Sequence, residues 1–438
     1  MCLVFGCVQI AIALLIVAIA VYLVVKRVDV RLALFAAGLA LGFVALKPWA
    51  ILDEFLREMA NSNTIGPICS AMGYAFILRA IGADREMVRL LIAPIRRVKW
   101  LLVPGGCIVG FLTNMAITSQ TAVAASVGSI LVPLMLAAGF HPIIVAATLV
   151  LGTSGGGSLY NPGEAVVVNI AGPAKVPVGT VLDRMFLPEL LAFSATVIAF
   201  TLMSRRIPKE SIEQEFETFG EIDSGKSVHV FKALLPPLPV AMLFLSQPRF
   251  QLFPWLLKVY PDGLPVSHAM IVSAMVALLA YRKDLSAQTR AFFDGAGFAY
   301  INVISLIVTA TCFIKGLELV GLTQMLVSAI SSSGLVGKTA SGFFPWLLAV
   351  IGGSGTAPSV AFSKAVLPPL SASNLNGAID LGVIAAIAAS FGRTMSPVAA
   401  VVFFTSALLK VTPLQIVKRT APALAVGAAV VLAFMLSR

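Results

Sequence analysis

Apolar residues run through this chain in long blocks, and polar residues punctuate the blocks in two ways. Most blocks suit a helix crossing the ~30 Å hydrocarbon layer, which takes about 20 residues at ~1.5 Å each. They predict spans over 3–25, 30–46, 64–81, 185–203, 233–246, 266–281, 297–319 and 421–436. Shorter helices are predicted over 51–60, 84–91 and 322–331. The second pattern occurs twice. Segments 100–138 and 342–372 are broken by Ser119-Gln120-Thr121 and Ser354-Gly355-Thr356, and each reads as a re-entrant hairpin with its tip at those residues. Each hairpin is followed by a span broken in the middle, 142–153 resuming at 162–172 and 377–389 resuming at 397–410.

The second set copies the first. At an offset of 235 residues, the distance from Thr121 to Thr356, Ser119 falls on Ser354, Pro133 on Pro368, Gly157 on Gly392 and Pro162 on Pro397 without a gap. Interruptions of this kind survive in a bilayer only where protein or a water-filled cavity satisfies the freed backbone. Paired in two halves of one chain, they point to a transporter's binding site. The expected architecture is therefore an all-α polytopic membrane protein, an inverted repeat with two re-entrant hairpins and two broken transmembrane helices. Its halves are 1–203 and 233–438, joined by a polar cytoplasmic linker over 204–232. With the N-terminus outside, 20 of the 31 Lys and Arg fall in inner loops, which makes the first hairpin enter from the cytoplasm and the second from outside.

Composition narrows the class. The chain is 59% hydrophobic and 12% charged, with mean hydropathy +0.97, whereas soluble domains carry about twice that charge. About ten membrane crossings are expected, and the lipid bilayer is the first partner. The net charge of +11 forms no basic stripe, so it reports topology rather than nucleic-acid binding. Five cysteines show neither a CxxC pair nor a Cys/His cluster and read as small core residues. The first apolar run lacks a cleavage pattern and reads as an uncleaved helix.

The candidate chemistry lies at the tips and breaks. Asn161 before Pro162 and Ser396 before Pro397 are helix-start signals, and Thr121 and Thr356 are cap-like residues on the return limbs. Four half-helix N-termini would then meet near mid-membrane, where their bare N–H groups suit an anion. The candidate substrate-binding set is Ser119, Gln120, Thr121, Asn161, Ser354, Gly355, Thr356, Arg393, Thr394 and Ser396. Hydroxyls and unwound carbonyls suit a small hard cation, and Ser119, Thr153, Ser154, Gly155, Ser354 and Ser390 are candidate sodium ligands. No cofactor is expected beyond Na+ or H+ as a coupling ion.

Charges present in one copy only bear on specificity. Arg393 aligns with Ser158, and a guanidinium recognises carboxylate in a bidentate way. Its other reading is an internal ion pair with Glu164 or Asp380. Glu164 stands at capping-box spacing after Asn161 and reads as a cap. Lys364 lies eight residues past Thr356 and reads as a snorkelling side chain. Two readings from other classes remain. Gly152-Thr153-Ser154-Gly155 matches a short pattern of intramembrane serine proteases, although no His lies in an apolar span to act as base. An ion channel would show conductance without exchange.

Several stretches carry a resemblance that covers both halves: ICSAMGYAFILRAIGADREMVRLL, TSQTAVAASVGSILVPLMLAAGFHP, LGTSGGGSLYNPG, GGSGTAPSVAFSKAVLPPL and SFGRTMSPVAAVV. In these the chain resembles the ion transporter superfamily, and more closely the anaerobic C4-dicarboxylate carrier family of the DcuC type. The resemblance implies a bacterial inner-membrane secondary carrier of small organic anions such as fumarate, succinate or malate, by uptake, exchange or efflux. Another carboxylate or an inorganic oxyanion is the alternative substrate. It also implies a homodimer with a scaffold part and a moving part that holds hairpins and broken spans. In the sodium-coupled branch of that superfamily the tips read Ser-Asn-Thr. Ser119, Thr121, Ser354 and Thr356 match them, while Gln120 and Gly355 depart at the middle position.

Overall fold

The computed structural model describes residues 2–26, 28–95, 98–204, 228–323, 325 and 334–437. Most of the expected linker (205–227), much of the expected short helix over 322–331, and Arg96 and Arg97 lie outside them. The described residues are helical, with no strand among them. Seven helical segments among them are long and apolar enough to cross a membrane, and four shorter apolar helices join them.

The chain opens with α1 (Cys2–Val25), α2 (Val30–Val44), α3 (Trp49–Met59), α4 (Ser62–Ile81) and α5 (Ala83–Ile92). Two limbs follow, α6 (Leu102–Ala116) and α7 (Gln120–Ala137), then the halves of the interrupted span, α8 (Pro142–Ser154) and α9 (Ala165–Ala174), and then α10 (Val178–Ser204). Short helices α11 (Val230–Leu234), α12 (Leu238–Leu245) and α13 (Pro254–Val259) lead to α14 (Val266–Ala280), α15 (Leu285–Ala299) and α16 (Ser305–Leu319). One π turn over Tyr300–Ile304 joins the last two. The second set is α17 (Gly334–Gly352), α18 (Thr356–Ser371), α19 (Leu375–Thr394), α20 (Ala400–Leu409) and α21 (Pro413–Leu436).

Shifting the first set by 235 residues lays α9 on α20 end to end and starts α10 where α21 starts. The packing between copies is reciprocal. α7 packs on α20 as α9 packs on α18, and α8 packs on α21 as α10 packs on α19. The same holds outside this core. α4 lies against α14 and α15, while α16, which follows them as α4 follows α2 and α3, lies against α2 and α3. The interrupted span 142–174 forms the centre: 94% of its most apolar stretch is buried inside the protein. It has no polar face, as expected of a helix enclosed on all sides.

Several boundaries differ from the pattern-based expectation. The stretch 233–246 splits into α11 and α12 at Pro236-Pro237, because neither proline supplies the N–H that would continue the ladder. The turns at 161 and 396 start no helix directly. Asn161 Oδ1 accepts from the Gly163 amide at 2.9 Å and Ser396 Oγ from the Val398 amide at 3.3 Å, so both helices begin three residues later than expected, at Ala165 and Ala400. On the return limbs Ser119 caps α7, accepting from the Ala122 amide at 3.4 Å, and Thr356 is the first residue of α18 rather than its cap. The helix α15 was not expected; its amphipathic charge pattern reads as a loop until its partner α4 is known. Finally, α19 continues to Thr394, past the expected stop at 389. In the first copy Gly156 takes φ +113°, a left-handed turn open to glycine, and ends the helix. Its counterpart is Phe391, which cannot turn there without strain, so the helix runs on and carries Ser390, Arg393 and Thr394 with it.

Candidate functional site

Each hairpin's incoming limb is held against its own break by close backbone approach. A Cβ on Gly157 would strike the Phe111 carbonyl, and one on Gly392 the Trp346 carbonyl; both pairs sit at the same positions of the two copies. In the first copy three side chains add hydrogen bonds. Asn114 Oδ1 accepts from the Ser158 amide at 2.8 Å, Asn161 Nδ2 donates to the Met115 carbonyl at 3.1 Å, and Gln120 Nε2 donates to Ser158 Oγ at 3.2 Å. In the second copy the small and large partners exchange places. Gly355 stands where Gln120 stands, and Arg393 where Ser158 stands.

These elements line a cavity of about 300 Å³, at the lower end of the ~300–1,000 Å³ typical of small-molecule sites. Its wall contains residues 118–121 and 353–356, Glu164 and Ala165, residues 399–401, and Arg393. It therefore holds the first residues of α7, α9, α18 and α20. Each helix start leaves backbone N–H groups without intrahelical partners and carries partial positive charge. Ile68 and Met72 of α4, with Phe298 of α15 and Asn302 and Val303 of the π turn, complete its lining. Such a pocket can hold a small anion by amide groups, hydroxyls and one guanidinium.

Ser119, Gln120, Thr121, Ser354, Gly355, Thr356 and Arg393 thus meet on one cavity. Asn161, Thr394 and Ser396 do not line it; they are buried behind it, bonding backbone. Of the candidate sodium ligands, Ser119 and Ser354 line the cavity and the other four lie behind it. Thr153 Oγ1 donates back to the Leu149 carbonyl at 2.8 Å. The Ser154 carbonyl accepts from Thr394 Oγ1 at 2.8 Å, Arg393 Nη2 at 3.1 Å and Ser390 Oγ at 3.4 Å. That carbonyl ends α8, so its orphan acceptor is satisfied from the opposite copy.

Arg393 is the charge at the centre. Its Nη2 is engaged by Ser154 and Ser390, its Nε has no hydrogen-bond partner, and no described carboxylate lies within 4.0 Å. Its field reaches two buried acids, Glu164 and Glu189. Asp380, the other sequence candidate for pairing, is held instead by Arg184 at 3.6 Å. Glu164 is not the side-chain cap that its spacing suggests: it occupies the N-cap position of α9 without a capping bond, and it faces the cavity. Lys364 corrects a second expectation. Rather than snorkelling outward, it turns inward to pair with Glu58 of α3 and to donate to Thr311 Oγ1 at 2.9 Å. Spacing along α18 fixes where Lys364 stands; only the packing of α16 on α18 fixes where it points. Glu189 was overlooked, although an acid inside an apolar span is itself a signal. So was its absence from the other copy, where Leu424 takes its place.

Ser154 Oγ lies 3.0 Å from Thr394 Oγ1, and His141, the nearest histidine in sequence, accepts from the Ile143 amide at the far end of α8. This is a helix joint, not a nucleophile with its base. Paired interrupted helices around one polar cavity in an apolar bundle define a membrane carrier rather than an enzyme.

The comparisons agree. A profile of the family described as C4-dicarboxylate anaerobic carrier, DcuC, matches residues 3–437, and the chain belongs to that family. It is 33% identical over 217 residues to an uncharacterized transporter of Haemophilus influenzae, covering 50% of this chain and 76% of that one. It is 26% identical over 383 residues to the anaerobic C4-dicarboxylate transporter DcuC of Escherichia coli K12, covering 85% and 81% of the two chains.

Proposed function

We propose that this protein is a secondary active transporter of C4-dicarboxylates such as fumarate, succinate and malate, working by alternating access at the cavity between the two tips. The observation that carries the reading is the gathering of four helix starts and Arg393 on one cavity. A dicarboxylate offers two anionic groups, and two kinds of donor await them: N–H groups at helix ends and the Arg393 guanidinium on the cavity wall. Serine and threonine at the tips, Ser119, Thr121, Ser354 and Thr356, add hydroxyls that can bond either carboxylate. The hairpins with the broken spans act as the moving part in an elevator-like cycle, and α2–α4 with α14–α16 as the scaffold. The two halves, 1–203 and 233–438, are inverted in the membrane. The working unit is a homodimer in a bacterial inner membrane, and a coupling cation accompanies the anion.

Purified protein in liposomes loaded with one dicarboxylate tests this. The expected result is counterflow of external fumarate, succinate or malate. Arg393→Ala should remain folded and lose roughly 10–100-fold in apparent affinity, the scale of a hydrogen bond to a charged group. Arg393→Lys should recover only part, since an ammonium cannot make the bidentate contact. Counterflow of none of these acids, with a shorter monocarboxylate or an inorganic oxyanion exchanged instead, would overturn the substrate assignment.

A further inference from the structure

Glu189 lies near the middle of α10, is fully buried, and neither carboxylate oxygen has a hydrogen-bond partner among the described residues. An ionised carboxylate stripped of water and of donors is costly, far more so inside a membrane. Two groups from other elements act on it electrostatically. Arg393 comes from α19, and Tyr160 from the turn after the first break. Neither bonds it: Arg393 gives its Nη2 to Ser154 and Ser390, and the Tyr160 hydroxyl donates to the Phe186 carbonyl at 2.5 Å. On one side the carboxylate lies against the bare Cα of Gly156, so close that a Cβ there would collide with it.

We propose that Glu189 is the proton-binding group of this carrier, taking up one proton together with the anionic substrate and giving it back to water with the substrate on the other side. This rests on the reading of the protein as a secondary carrier. The coupling is electrostatic. In the empty site Arg393 faces two acids, Glu164 on the cavity and Glu189 behind it. A dicarboxylate that takes the guanidinium's charge leaves Glu189 with no counter-charge, and a proton must then join it. Binding of anion and proton favour one another, and linkage makes the effect mutual. A metal cation fits the place less well. Hard cations want six or so oxygen ligands, and no polar partner reaches either oxygen of Glu189. Among the described residues no group of three or more His, Cys, Asp and Glu gathers anywhere.

Two measurements on the full chain in liposomes test the assignment. In wild-type protein an inside-alkaline gradient of about one pH unit should sustain about tenfold accumulation of dicarboxylate per coupled proton. In Glu189→Gln, which imitates the protonated acid, that accumulation should vanish while exchange continues with a flat pH profile. Glu189→Asp should restore proton-driven uptake in part. Accumulation by Glu189→Gln equal to wild type, or uptake driven by a sodium gradient and indifferent to pH, would overturn the proposal. The second measurement needs no transported substrate. As pH is lowered, infrared spectra should show the C=O stretch of a protonated carboxylic acid growing in, a band that is missing in Glu189→Gln and shifted in Glu189→Asp. Failure of every C4-dicarboxylate in counterflow would remove the substrate reading alone; an infrared band untouched by Glu189→Gln would remove this one.

Discussion

Gly156 shows how much can depend on one residue without a side chain. Its φ of +113° ends α8, and its bare Cα makes room for the Glu189 carboxylate. Gly156→Ala should therefore destabilise the protein twice over. The backbone strain contributes roughly 1–3 kcal/mol, and the collision adds to it. In detergent the variant should unfold at a lower temperature than wild type. Adding Glu189→Ala should recover the steric part and leave the strain; no recovery in the double variant would show that the collision is unimportant. At this scale the sequence was informative wherever a residue sits in a break. Ser119, Thr121, Ser354, Thr356 and Arg393 were all legible there, and all line one cavity. Charges outside the breaks were not legible from local spacing. Glu164 has the spacing of a cap and Glu189 lies in an otherwise plain apolar span, so only the comparison of the two copies sets them apart. Ser158, Ala399 and Leu424 stand opposite Arg393, Glu164 and Glu189, so each of these three charges is present in one copy only.

Between elements, the clearest single tie is the Lys364–Glu58 pair, which joins α18 to α3. Both side chains are nearly buried, at 11% and 6% exposed, and Thr311 of α16 satisfies the ammonium further. Removing one partner of such a pair strands the other, which costs roughly 3–5 kcal/mol. Glu58→Gln and Lys364→Met should each lower the unfolding temperature, whereas the double variant should lose less than the sum of the two. Strict additivity would mean that the contact carries no coupling. Because α18 belongs to the proposed moving part and α3 to the scaffold, the single variants should also change the rate of exchange. Element positions were mostly legible, since apolar length and paired breaks survive in any context. Boundaries were less so. The stop of α19 depended on the absence of a glycine at 391, and α15 on the tertiary partner α4.

Across the whole molecule, the reciprocal packing of the two copies makes a sharp topological prediction. Ala137 and Ala372 are counterparts at the ends of α7 and α18, and both are exposed. If the copies are inverted, a cysteine at 137, in a chain whose five native cysteines are replaced, should react with an impermeant thiol reagent from the cytoplasmic side only. A cysteine at 372 should react from the opposite side. Labelling of both from one side would end the inverted arrangement. The glycines that rest on the Phe111 and Trp346 carbonyls have a consequence at this scale as well. They set each incoming limb backbone to backbone against its own break, so that neither can shift without carrying the other. If the protein works as proposed, limb and break travel together as one rigid piece, and the clearance for that travel has to lie where the piece meets α2–α4 and α14–α16.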